Sequence, residues 1–178
     1  MDEGTPMGFN YDSTLSKNEV AERLTSDMQS QGFTVVETDF ERPWGGFVKI
    51  ADSEAPEFLN RYFPGIPLPP STEGATLSPK ILVVEPEKRL SWQVHDRRGE
   101  FWKVVDGPVG AFLSDTDDQP DQPEIFENGQ TIDIPQGTRH RLVGLDSRGM
   151  VAEIWIHSDP QNPSNEEDIK RISDDFKR

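Results

Sequence analysis

Four side chains with metal-donor chemistry fall in two short stretches. Gln93, His95 and Glu100 lie within LSWQVHDRRGEFWKVVDG, and His140 lies within IPQGTRHRL. An amide oxygen, two imidazole nitrogens and a carboxylate can all ligate a divalent cation, and imidazole favours zinc, iron or cobalt over magnesium. If these segments are strands, alternation puts Gln93 and His95 on one face with Trp92 and Val94 on the other. Glu100, Trp102 and Val104 then share a face. Polar groups inside a barrel are costly unless paired or ligated, and that cost is the argument for a metal. The competing reading is that a histidine beside a turn is simply hydrogen-bonded or exposed. Residue chemistry alone leaves both open. His157 reads as a solvent-side or turn residue, and Trp44 and Trp102 read as core before pocket wall.

The elements that must position these residues are mostly short strands. KILVVE, LSWQVH, EFWKVV, GAFLSD, EIFE, QTIDIP, RHRLVG and MVAEIWIH are separated by turns such as EPEK, DRRG, ENG and LDSRG. Spacing of about ten residues, with no long helix between, predicts an antiparallel sandwich or jelly-roll barrel. FTVV and ERPWGGFVKI add β-prone segments upstream. Ahead of them, Ser16 and Glu19 form a capping-box pattern. Val20, Leu24 and Met28 recur every four residues, and Gly32 offers a stop, so an amphipathic helix is expected there. Residues 1–15 read as a loose arm. Residues 53–79 hold six prolines and form a long connection, with a short helix around Phe58 to Phe63 and a role as lid or edge cover. The chain end reads as a polar turn and a short C-terminal helix. The organisation expected is an arm and helix over 1–32, then a β domain over 33–178 carrying the 53–79 insertion.

Bulk properties narrow the function classes. The 178 residues suit one domain, and the formal net charge of -15 argues against a nucleic-acid surface. There is no cysteine, so neither disulfide nor thiolate chemistry is available. No apolar run is long enough for a membrane span and the start lacks a leader pattern, so a cytoplasmic location is expected.

The two donor-bearing stretches resemble the paired motifs of the cupin superfamily. They are most similar to the type II mannose-6-phosphate isomerases, which also occur as the C-terminal part of bifunctional enzymes. ERPWGGFVKI and EEDIKRISDDFKR extend the resemblance, so it covers nearly everything from Glu41 onward except the insertion. It implies a cupin jelly-roll β-barrel or sandwich. It also implies that Gln93, His95, Glu100 and His140 bind the metal and that Arg98 takes part in catalysis. The chain departs from the family pattern at Asp96-Arg97, Phe101 and Val143-Gly144, which alters the pocket rim and leaves the four donors intact.

The resemblance further implies interconversion of mannose 6-phosphate and fructose 6-phosphate with a divalent metal. Zinc is the first choice, with Fe, Co, Ni or Mn as alternatives. Two other readings stand beside it: isomerisation of a free sugar such as lyxose, and metal or sugar binding without turnover. The acid–base group is not identified, although Lys80 and Glu153 are candidates. By alternation Lys103, Arg139 and Arg141 face away from the donors. The expected partners are a small sugar or sugar phosphate and a second copy of the chain, as a homodimer covering exposed sheet edges.

Overall fold

The computed structural model describes residues 8–69 and 75–177. Among the described residues eleven strands occur in chain order: β1 (Val35–Asp39), β2 (Gly45–Ile50), β3 (Lys80–Val84), β4 (Trp92–Val94), β5 (Arg98–Asp106), β6 (Val109–Ser114), β7 (Glu124–Phe126), β8 (Thr131–Ile134), β9 (Arg139–Val143), β10 (Gly149–His157) and β11 (Lys170–Ser173). Two helices join them, α1 (Lys17–Ser30) and α2 (Ala55–Tyr62). The strands form a six-stranded sheet in the order β1-β2-β3-β10-β5-β8 and a five-stranded sheet in the order β11-β4-β9-β6-β7. All pairings are antiparallel.

Neither sheet closes on itself. The expected sandwich and N-terminal helix are present, but no sheet closes into a barrel and a second helix makes the fold mixed rather than all-β. Trp102, Val104, Leu82, Val84 and Val151 of the larger sheet pack against Val109, Ala111 and Leu142 of the smaller one. The alternate residues Ile81, Val83, Met150, Ala152 and Ile154 point the other way and form a second core with the helices. Both faces of the central strands are therefore covered, which is why β3 is buried throughout and its residues Ile81–Val84 are an unbroken apolar run.

Helix α1 follows its sequence pattern closely. The Ser16 hydroxyl accepts from the Glu19 amide, and the Glu19 carboxylate accepts from the Ser16 amide, so two otherwise unpaired donors are satisfied. At the far end the Phe33 amide donates to Met28 O and the Gly32 amide to Gln29 O, with Gly32 at φ 93°. Val20, Leu24 and Met28 are fully buried. Helix α2 begins with Pro56 in its first turn, where the missing N–H costs nothing, and buries Phe58, Leu59 and Tyr62 in the same core. The expected short helix in the Pro-rich segment is thus present. None of its described residues lines the cavity introduced below.

Three expectations are corrected. The C-terminal helix is absent: residues 170–173 form β11, which pairs with β4. A helix of so few residues has little intrinsic stability, and the open edge of β4 offers backbone partners instead. His157 is not at the solvent side; it is buried at the end of β10, donating from Nε2 to Thr76 O and accepting at Nδ1 from the Ser164 amide. The arm is not loose over its described part. Phe9 is buried and its amide donates to Val105 O, while Tyr11 donates to Asp27. Residues 1–7 of the arm and 70–74 of the insertion lie outside the described residues. Among the described residues no helix is long and apolar enough to cross a membrane.

Candidate metal centre and adjoining cavity

Antiparallel register brings the donors together. Gln93 of β4 stands opposite His140 of β9 in the smaller sheet, and Glu100 projects from β5 of the larger one. His95 follows β4 directly. Donor atoms of His95, Glu100 and His140 all lie within 4.8 Å of one another, and all three residues are buried. His95 Nε2 is 3.1 Å from Glu100 Oε1, and His140 Nε2 is 3.6 Å from Glu100 Oε2. The Gln93 amide completes the ring, 3.5 Å from His95 Nε2 and 3.4 Å from His140 Nε2.

Backbone carbonyls set both imidazole tautomers. His95 Nδ1 is 2.6 Å from Asp168 O, and His140 Nδ1 is 2.9 Å from Thr138 O. A carbonyl only accepts, so each Nδ1 carries a proton and Nε2 is the ring nitrogen turned inward, free to ligate a metal when it is unprotonated. Two inward Nε2 atoms and a buried carboxylate make a donor set suited to a divalent metal, and the residues fit such an ion. The charges agree. Burial alone would raise the Glu100 carboxyl, but the His95, His140 and Arg98 side chains outweigh it and hold the group well below the usual carboxylate range. Burial pushes His140 down to about 4, against the opposing pull of Glu100.

Arg98 is part of the same knot. Its Nε donates to Glu100 Oε1 at 3.1 Å, and Nη1 donates to Ser164 Oγ at 2.9 Å and Asn165 O at 3.0 Å. Its guanidinium stacks 3.7 Å from the centre of the Trp155 ring. Trp102 shares its indole N–H between two carboxylates, 3.1 Å from Glu100 Oε2 and 2.9 Å from Glu153 Oε2. Burial, reinforced by the Glu100 charge, pushes the Glu153 carboxyl up to about 7, although Lys80 and Arg98 pull it down.

A cavity of about 130 Å³ adjoins this cluster. Arg42, Trp44, Lys80, Gln93, Arg98, Glu100, Glu153, Glu166 and Arg171 are among its walls. Trp44 is buried, and its indole N–H has no protein acceptor among the described residues. Lys103, Arg139 and Arg141 take no part. Lys103 donates to Gly129 O, Arg139 pairs with Asp117, and Arg141 binds Leu90 O and Gln119.

The C-terminal segment contributes more than its composition suggests. Asp168 supplies the carbonyl that orients His95. Its carboxylate accepts from the amides of Asp96 and Arg97 at 3.0 Å each and from Ser164 Oγ at 2.6 Å. The contribution of EEDIKR was invisible in the sequence because it acts through a carbonyl and a turn, neither of which has a residue signature.

The family model for the C-terminal part of mannose-6-phosphate isomerase matches residues 71–174. The chain belongs to this family. It is a cupin-superfamily domain, and every donor described above falls inside the matched span. It is 27% identical over 156 residues to a mannose-1-phosphate guanylyltransferase of Sinorhizobium fredii, covering 88% of this chain and 25% of that protein. It is 24% identical over 157 residues to the alginate biosynthesis protein AlgA of Pseudomonas aeruginosa, covering 87% of this chain and 26% of that one. The chain thus spans about a quarter of these relatives' length. A solved structure of the capsular polysaccharide assembling protein CapF from Staphylococcus aureus is similar at a TM-score of 0.49 and 15% identity, over 78% of this chain and 34% of that one.

Proposed function

We propose that the chain is a metal-dependent cupin that binds a small sugar and interconverts its aldose and ketose forms. The observation that carries this reading is a buried His/His/Glu donor set beside a cavity walled by both cations and carboxylates. His95, Glu100 and His140 would hold the ion. Gln93 would join them, since the two ends of its amide are interchangeable about the plane and Ser91 Oγ can pair with either. Imidazole donors point to zinc, iron, cobalt, nickel or manganese, with zinc first. When bound, such an ion supplies Lewis-acid polarisation of the substrate carbonyl.

The protein's own residues do the rest. Trp44 offers an unused N–H to a sugar hydroxyl. Arg98 keeps Glu100 ionised and aimed inward. Arg171 is the cavity cation left to meet an anionic group. Arg171 makes no side-chain hydrogen bond or ion pair among the described residues. Mannose 6-phosphate is therefore the first substrate to try.

A second reading, a free sugar such as lyxose or binding without turnover, has its own support. Arg98 spends its donors on Glu100, Ser164 and Asn165, Arg42 is paired with Asp39 at 2.8 Å, and Lys80 faces Glu153 at 3.6 Å, so three of the four cavity cations are engaged before a phosphate arrives. The test is a coupled isomerase assay on zinc-loaded protein with mannose 6-phosphate, mannose and lyxose, alongside His140→Ala. Turnover abolished by the substitution is the expected result. Absence of turnover on all three sugars, with metal demonstrably bound, would overturn the isomerase reading.

A further inference from the structure

Aldose–ketose isomerisation needs a group that takes a proton from one carbon and returns it to the next. That group must stand on the cavity wall beside the metal donors without being one of them. Three carboxylates line the cavity: Glu100, Glu153 and Glu166. Glu100 belongs to the donor set. The Glu166 side chain is 66% exposed and its Oε1 lies 3.8 Å from Lys49 Nζ, so it stands at the solvent edge. Glu153 is buried, and the structure gives it no other task.

Its setting is built across three neighbouring strands. Glu153 of β10 stands opposite Lys80 of β3 on one side and Trp102 of β5 on the other. All three side chains point to the inner face of the larger sheet. The Trp102 indole N–H holds Glu153 Oε2 at 2.9 Å while also touching Glu100, which fixes the second carboxylate beside the donor set. Glu153 Oε1 faces Lys80 Nζ at 3.6 Å, too long for a tight hydrogen bond, so this oxygen keeps a lone pair for a substrate proton. Lys80 is itself steadied between the Phe47 and Trp155 rings, at 5.4 and 5.3 Å from their centres.

We propose that Glu153 is the acid–base residue that carries the proton between C2 and C1, with Lys80 as the positioning residue that holds its carboxylate. The proposal rests on the isomerase reading above. From the aldose, the Glu153 carboxylate takes the C2 proton and the C2–H electron pair becomes the C1–C2 double bond. The carbonyl π pair moves to O1, which takes the O2 proton and leaves an enediolate charged at O2. The O2 electron pair then forms the C2 carbonyl, and the C1–C2 π pair takes the proton back from Glu153 at C1. C2 is oxidised and C1 reduced within one molecule, so no external redox agent is required.

The test uses the full zinc-loaded chain with Glu153→Gln and Glu153→Asp, on mannose 6-phosphate, mannose and lyxose. Turnover is followed in H2O, and deuterium entry at C2 is followed in D2O. Loss of a general base costs about 10²–10⁴-fold. Glu153→Gln is therefore expected to lose that factor in kcat with KM changed by less than about threefold, and to stop the C2 exchange. Zinc stoichiometry should be unchanged, and Glu153→Asp should recover part of the rate. A Glu153→Gln protein within about tenfold of the parent kcat would overturn the assignment while leaving the isomerase intact. Loss of zinc from that variant would also overturn it, by showing a structural role. Parent protein that holds zinc yet turns over none of the three sugars and exchanges no C2 proton would sink the isomerase reading, and this inference with it.

Discussion

Replacing Asp168 by alanine is expected to weaken zinc binding, although Asp168 donates nothing to the metal. Its carboxylate ties the C-terminal segment to the 96–97 turn through two hydrogen bonds and accepts a third from Ser164 within the segment, and its carbonyl orients His95. Each hydrogen bond to a charged group contributes about 1.5–3 kcal/mol, and water re-entering at this partly open turn recovers much of it. A net loss of about 2–4 kcal/mol in stability follows. The carbonyl survives the substitution but is no longer held in place. Loss of a partner that orients a metal-binding histidine typically costs about 10–100-fold in affinity. The assay is competition for Zn²⁺ against a chromophoric chelator, paired with thermal melts. Asp175→Ala is the control, because Asp175 anchors the same segment through Arg89 and Arg141, away from His95. It should lower the melting temperature and leave zinc affinity within about twofold, a change of less than about 0.5 kcal/mol. If Asp168→Ala lowers stability but binds zinc as the parent does, the claim that this carbonyl positions His95 is wrong.

Other outcomes follow from the same geometry. Gly45 sits at φ 150° and a Cβ there would lie 2.0 Å from Val83 O, so Gly45→Ala should destabilise the fold by more than about 2 kcal/mol in urea titration. Trp44→Phe removes an N–H that has no protein acceptor, so it should raise the KM for sugar several-fold while leaving the melting temperature nearly unchanged. The raised Glu153 carboxyl is protonated in the fold while still ionised in the unfolded chain between about pH 7 and 4.5, so its contribution to stability is present at low pH and lost as pH rises through about 7. The metal-free parent should therefore gain about 3 kcal/mol relative to Glu153→Gln as pH falls from 7 to 4.5, read as denaturation midpoints of both proteins. His140, pushed down to about 4, acts with the opposite sign, and its contribution is lost as pH falls through that range in parent and variant alike.

What the sequence made legible was local. The capping box of α1, its buried stripe and its glycine stop all rest on residues within one or two turns of each other, and the structure shows each of them. The strands carrying Gln93, Glu100 and His140 were readable because alternation and turn residues are short-range signals. What was not readable depended on a distant partner. Residues 170–173 extend only because β4 leaves an open edge for them. His157 is buried only because Thr76 and Ser164 close over it from elsewhere in the chain. Phe9 looked like part of an arm because its pocket is assembled from the helices and the larger sheet, far away in sequence. Of the two acid–base candidates, Lys80 and Glu153, cross-strand register made a cavity-facing pair; one sequence alone contains no register between strands some 70 residues apart.

The donor set straddles the two sheets, and this has an energetic consequence. Gln93 and His140 belong to the smaller sheet, while Glu100 comes from the larger one. Along the inner faces, Val104, Val151, Val109 and Leu142 hold the sheets together by apolar contact. Toward the cavity, the same faces present Glu100, Arg98, Glu153 and Lys80, whose charges offset one another imperfectly in a buried setting. A cation shared between Glu100 and the histidines would close that end by coordination where hydrophobic packing gives out. A ligand that binds only the assembled state stabilises it by about 4 kcal/mol at a thousandfold excess over Kd. Metal binding would therefore be thermodynamically coupled to cohesion of the sandwich, and the C-terminal segment that orients His95 would contribute to both.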